Sequence, residues 1–210
     1  MTNNTDHHSE IIYVFDGAGV NARTLIDSLK RITSEDPDIQ VKTITAEDMK
    51  QIEAIDPDAV IAFFLPGGAR PQYDVQVGDR GFSLIRDYVE KGGSFYGICA
   101  GAYYASKEFE WRPGTPEYRY KTPGLKFFNG LARGPEPALT GYHGPDLDTW
   151  YEAKIIDLFM DQARPPLPAK ALYWNGPIFI NSDPDAPPET LASINLSGEK
   201  APAVMRIPHG

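Results

Sequence analysis

The stretch Ser94-Phe-Tyr-Gly-Ile-Cys-Ala-Gly-Ala102 carries a nucleophilic residue type, Cys99, with Gly97 two residues before it and Gly101 two residues after it. Ser94 to Ile98 reads as a short strand, and the small residues after Cys99 read as the start of a helix. A cysteine in a G-x-C-x-G string between strand and helix is an elbow: the turn is so tight that side chains at the flanking positions would collide. The thiol then projects above the end of a strand. The dipole and N–H groups of the following helix are directed at the sulfur, an arrangement expected to favour thiolate. The plainer alternative is a small buried hydrophobe, as most cysteines outside disulfides are.

The residues upstream decide between these readings. Ala59 to Leu65 contains no polar residue, the pattern of a strand covered on both faces, and it ends at Pro66-Gly67-Gly68. Ile11 to Phe15 is a second apolar run and stops at Asp16-Gly-Ala-Gly19. Between these strands, Asn21 can cap a helix whose Leu25, Ile26, Leu29 and Ile32 share one face. Ile39 to Ile44 reads as a strand. Thr45 and Asp48 resemble a capping box ahead of Met49, Ile52 and Ile55, with Asp56-Pro57 as the stop. A further helix is expected from Arg80 to Lys91, with Phe82, Ile85, Tyr88 and Val89 inward and Gly92-Gly93 ending it.

Strand and helix alternating at this spacing predict parallel strands in an open α/β sheet, with ligands beyond the carboxyl ends of the strands. Three features fall there: Asp16 to Gly19, Pro66 to Gly68, and Cys99. An acyl-transfer site also needs N–H donors where an oxyanion forms. The amides of Ala100 and Gly68 are the candidates. Asp16, Gly67 and Tyr104 are candidate pocket residues, although a turn-forming role explains Asp16 equally well and Tyr103 and Tyr104 are expected first to pack on the elbow helix.

Of the 19 prolines only four precede Cys99, so the second half is expected to be β- and turn-rich. The chain of 210 residues carries 20 Lys plus Arg against 29 Asp plus Glu, a net charge of −9, and lacks the basic footprint that nucleic acid requires. Met1 to Glu10 is a polar tail, expected to be disordered and unlike a signal peptide; residues 11–210 are expected to form a single domain. No run approaches about 18 apolar residues, which excludes a helical membrane span. The single cysteine excludes an internal disulfide, and a reducing cytoplasm is the simplest location. No His/Cys cluster has zinc spacing, and the glycines form neither a dinucleotide fingerprint nor a P-loop, so neither metal nor cofactor is expected. The expected partners are a small-molecule ligand or substrate and, at most, a second copy of the chain in a homodimer, with no nucleic acid and no membrane.

These strings resemble the amino-terminal domain of biotin protein ligases and its stand-alone bacterial relatives, which are class I glutamine amidotransferase-like. The matching words are Val14-Phe-Asp-Gly-Ala-Gly19, Leu65-Pro-Gly-Gly68, Gly97-Ile-Cys-Ala-Gly-Ala-Tyr-Tyr-Ala105 with Glu110-Trp111, Phe127-Phe-Asn-Gly-Leu-Ala-Arg-Gly134 and Tyr173-Trp-Asn-Gly176. The resemblance implies a flavodoxin-like, mostly parallel open sheet with helices on both faces, an elbow cysteine at Cys99, and Gly68 with Ala100 as oxyanion donors. It does not imply biotin ligation, since the ligase's G-R-G-R adenylate loop has no counterpart in this sequence.

Relatives continue past the equivalent of Pro202 to Gly210 into a strand ending in a His-Pro-Glu segment. The resemblance implies that the His and Glu of a Cys-His-Glu triad belong there, beyond the last residue given. Either this chain lacks them or a longer native chain supplies them. His7, His8, His143 and His209 are the substitutes within the sequence. His143 is the only internal one, an exposed loop histidine first and a possible base second.

Three functions follow as expectations. The first is a cysteine hydrolase or amidase that forms a Cys99 thioester with a small amide or acyl substrate. The second is a non-catalytic ligand-binding or regulatory domain that kept the pocket. The third is a PfpI-type site pairing Cys99 with Asp16.

Overall fold

A computed structural model describes residues 10–68, 71–140, 153–161 and 167–208. They fall into two compact units, one ending at Gly101 and the other running from Ala102 to Pro208.

The first unit is built on four parallel strands: β1 (Glu10–Phe15), β2 (Ile39–Ile44), β3 (Val60–Leu65) and β4 (Phe95–Gly97), in the order β2-β1-β3-β4. The chain steps from β1 outward to β2 and then back across β1 to β3. The connections after β1 and β3 therefore diverge, opening a crevice at the carboxyl ends of the strands.

Alternation along β1 divides its side chains between two layers. Ile12 and Val14, with Ala62 of β3, pack against Leu25, Ile26 and Leu29 of helix α1 (Arg23–Ile32). Phe15 points the other way, against Tyr73 of helix α3 (Pro71–Gln76). Helix α4 (Gly78–Glu90) buries Phe82, Ile85, Tyr88 and Val89, the residues expected from its period. Helix α2 (Ala46–Gln51) starts at a complete capping box, Thr45 with Asp48.

Three expectations need correction. The residue at the start of α1 is Ala22, with no side-chain cap, so Asn21 does not cap it; the Asn21 N–H instead bonds the Gly67 carbonyl at 2.8 Å. Ile32 is 77% exposed, because α1 ends there and its last turn leaves the buried stripe. Helix α2 stops at Gln51, well before Asp56, since Ile52 is already extended.

The second unit begins within the short helix α5 (Ala100–Ala105) and is β-rich, as the proline distribution predicts. One four-stranded sheet has the order β10 (Ile178–Asn181), β7 (Phe128–Gly134), β5 (Ser106–Trp111), β6 (Arg119–Lys121). The other has the order β12 (Glu199–Arg206), β11 (Glu189–Leu196), β8 (Lys154–Met160), β9 (Leu167–Tyr173). A turn of helix, α6 (Pro137–Thr140), contributes Leu139 to a cluster with Tyr173, Ile178 and Ile194. Among the described residues no helix is long and apolar enough to cross a membrane.

Tyr88 ties α4 to the sheet. Its hydroxyl donates to the Val60 carbonyl at 2.9 Å and accepts the Ser94 N–H at 3.1 Å, bridging the start of β3 and the approach to β4. Burial pushes its phenol up to about 12, so it stays a donor throughout the physiological range. Tyr88→Phe is expected to destabilise the protein by about 1–3 kcal/mol, since two backbone groups lose their partner. Urea denaturation measures this, and an unchanged midpoint would show that the bridge contributes nothing.

Candidate functional site

The register Leu65↔Gly97 sets the ends of β3 and β4 side by side. Just past this pair the Ile98 N–H bonds the Leu65 carbonyl at 3.0 Å, and the Gly101 N–H lies 2.9 Å from the Ile98 carbonyl and 3.2 Å from that of Pro66. These bonds fold the chain back within three residues. Cys99 occupies the apex with φ 51°, in the left-handed region that L residues avoid at a cost of about 1–2 kcal/mol. Gly101 is obligatory, because a Cβ there would run into the Leu65 carbonyl. The elbow read from the sequence is thus present in the backbone.

The two glycine loops meet at this apex. A Cβ on Gly67 would stand 3.2 Å from the Cys99 Cβ and 3.7 Å from its Sγ, so Gly67 lies directly against the cysteine. The Gly68 and Ala100 N–H groups both donate toward the Cys99 sulfur. Gly68 is backed by the Gly19 carbonyl and the Cα of Val20, which pairs with it in an isolated bridge.

Helix α3 holds both loops. The Tyr73 hydroxyl donates to the Pro66 carbonyl at 2.6 Å. The Gln76 amide brackets Ala18, donating from Nε2 to its carbonyl at 2.7 Å and accepting its N–H on Oε1 at 2.9 Å.

The sulfur sits in opposed fields. Burial pushes the Cys99 thiol above its ordinary range, outweighing the Ala100 and Gly68 N–H groups, which pull it down. The two amides alone therefore do not favour thiolate as the elbow motif leads one to expect: burial acts against them. Tyr73, fully buried, is also held well above the usual phenol range, first by burial and then by the neighbouring Cys99.

Of the residues singled out in the sequence, Cys99, Gly67, Gly68 and Ala100 come together. Asp16 is exposed at the end of β1, where its N–H bonds the Ile44 carbonyl at 3.0 Å. Tyr104 is fully buried within the second unit, its ring 5.7 Å from Phe109, and Tyr103 donates to the Asn175 carbonyl at 3.2 Å in the same unit. His143 lies outside the described residues, as do His7, His8 and His209. Tyr73 and Gln76 are the site residues that periodicity does not announce, because α3 is under two turns long. The available signal was Pro71 at its first position, where proline is favoured.

The profile of the family described as Biotin-protein ligase, N terminal, matches residues 10–204. An uncharacterized protein of Chlamydia muridarum is 37% identical over 71 residues, 34% of this chain and 27% of that protein. The biotin–protein ligase of Schizosaccharomyces pombe is 26% identical over 123 residues, 57% of this chain and 18% of the ligase. The matched stretches thus span 27% and 18% of the length of these curated relatives. Among solved structures, PurLQS from Thermotoga maritima aligns over 89% of this chain and 74% of its own, with a TM-score of 0.50 and 11% identity, a likeness of fold alone.

With its ionisation raised by burial, Cys99 contributes most to stability below the ordinary thiol pKa of about 8.5. That contribution fades as pH rises through the higher folded value. Alkylation by iodoacetamide, followed by intact mass, is expected to titrate with a midpoint above about 8.5, the ordinary value for a cysteine thiol. A midpoint below 7 would contradict the dominance of burial.

Proposed function

The chain belongs to the biotin-protein ligase N-terminal family, and from that premise we propose that it is a cysteine-dependent amidase- or hydrolase-like protein acting on a small amide or acyl substrate. The observation that supports this reading is the pair of amide N–H groups, from Gly68 and Ala100, converging on a cysteine held in a left-handed turn. A buried hydrophobic cysteine needs neither the strained backbone nor the donors.

In this reading the Cys99 sulfur forms a bond to the substrate carbonyl carbon, and the carbonyl oxygen takes the negative charge. The Gly68 and Ala100 amides receive that oxyanion, a service whose loss in acyl-transfer enzymes costs about 10²–10³ in kcat per donor. The tetrahedral species collapses to a thioester as the bond to the leaving amine or alcohol breaks. The leaving group takes the proton given up by the thiol, and water then hydrolyses the thioester. Because the resting thiol is protonated, a base must accept that proton, which is worth about 10²–10⁴ in rate. Biotin ligation is not part of the proposal.

The upward push on the thiol favours a second reading, a ligand-binding or regulatory domain that keeps the pocket without turnover. A ligand would then raise the melting temperature equally in wild type and Cys99→Ala, with no product formed.

Incubation with p-nitrophenyl acetate, with intact mass and peptide mapping, separates the two. The amidase reading predicts one acetyl group on Cys99, absent in Cys99→Ala. No acetylation of Cys99 between pH 6 and pH 10 would eliminate it.

A further inference from the structure

We propose that Tyr73 and Gln76 are positioning residues, a clamp on α3 that holds the Gly68 N–H against the Cys99 sulfur by fixing the two glycine loops from one side. The consequence for catalysis rests on the reading of Cys99 as a nucleophile; the clamp itself is a matter of geometry.

The argument runs from Gln76 outward. Its side-chain amide satisfies both the N–H and the carbonyl of Ala18, at 2.9 and 2.7 Å, as a neighbouring strand would. This pins a loop that has no strand partner at this point. It also explains Gly17, where a Cβ would collide with the Gln76 Oε1. The pinned loop closes on itself through the Val20 N–H and the Gly17 carbonyl, 3.1 Å apart. Its next residues, Gly19 and Val20, stand directly behind Gly68 and leave no space for a side chain there. Gly68 is therefore held against this loop, which the Asn21 N–H also ties to the Gly67 carbonyl at 2.8 Å.

Tyr73 fixes the second glycine loop, at Pro66. Its hydroxyl holds the Pro66 carbonyl at 2.6 Å, and its ring packs 5.7 Å from Phe15 at the end of β1. One short helix thus holds the first loop at Ala18 and the second at Pro66. Displacing a reacting group or donor by about 1 Å costs about 10²-fold in rate, so fixing one N–H is a sufficient reason for a dedicated clamp.

The test uses the full chain with Gln76→Ala and Tyr73→Phe, each checked for folding by circular dichroism. Three quantities are read in each variant: the midpoint of Cys99 alkylation, the rate of Cys99 acetylation by p-nitrophenyl acetate, and the Gly68 amide resonance in ¹H–¹⁵N spectra. A clamp predicts a higher alkylation midpoint, by about half a pH unit or more, because the anion loses a donor. It also predicts a displaced Gly68 resonance and acetylation reduced at least about tenfold relative to alkylation at equal thiolate, since alkylation forms no oxyanion. A merely structural role would lower the melting temperature and leave all three unchanged, which overturns the proposal. If wild type is not acetylated at all, the nucleophile reading fails, while the midpoint and the Gly68 resonance still decide the clamp.

Discussion

A side chain at position 101 has nowhere to go, because the Leu65 carbonyl already occupies the space. That close approach lets the end of β3 and the chain beyond β4 share hydrogen bonds through Ile98 and Gly101. Those bonds in turn hold Cys99 at φ 51°. Left-handed backbone at a non-glycine residue persists only where its surroundings over-determine it. Here parallel pairing on one side and the glycine contact on the other supply that constraint. The direction of the thiol, the contact with Gly67 and the approach of the Gly68 amide all follow from it.

The sheet was legible where burial imposes a period. Ala59 to Leu65 has no polar residue because both faces of β3 are buried or half-buried, and the inward residues of α4 recur as a helix on a sheet demands. The elbow was legible because Gly101 is sterically required. What was hidden depended on tertiary context. No hydrophobic period shows that α1 leaves its buried stripe at Ile32, and α3 is too short to display one. Gln76 acts through two hydrogen bonds to Ala18 and Tyr73 through one to Pro66, contacts that leave no periodic pattern. The direction of the thiol's ionisation was misread because desolvation belongs to the folded surroundings, whereas the helix dipole can be inferred from sequence alone.

The opposition between burial and donors has a chemical meaning. Donors fixed in place before reaction contribute most when negative charge develops, and a site that keeps water away strengthens them. A thiol whose ionisation burial pushes up, with two N–H groups directed at it, is poorly suited to a permanent thiolate. It suits a site in which charge forms only when an electrophile arrives and a base removes the proton. The amide geometry puts the proposed chemistry at the carboxyl ends of β3 and β4.

The central claim is that the Gly68 and Ala100 amides stabilise an anion formed at Cys99. A small aldehyde tests it directly, since addition of the thiol gives a tetrahedral hemithioacetal whose oxygen stands where the oxyanion would form. In ¹H–¹⁵N spectra of the full chain titrated with propionaldehyde, the account predicts downfield shifts of the Gly68 and Ala100 amide protons, absent in Cys99→Ala. Aldehyde addition at Cys99 that leaves both amides unmoved would contradict it.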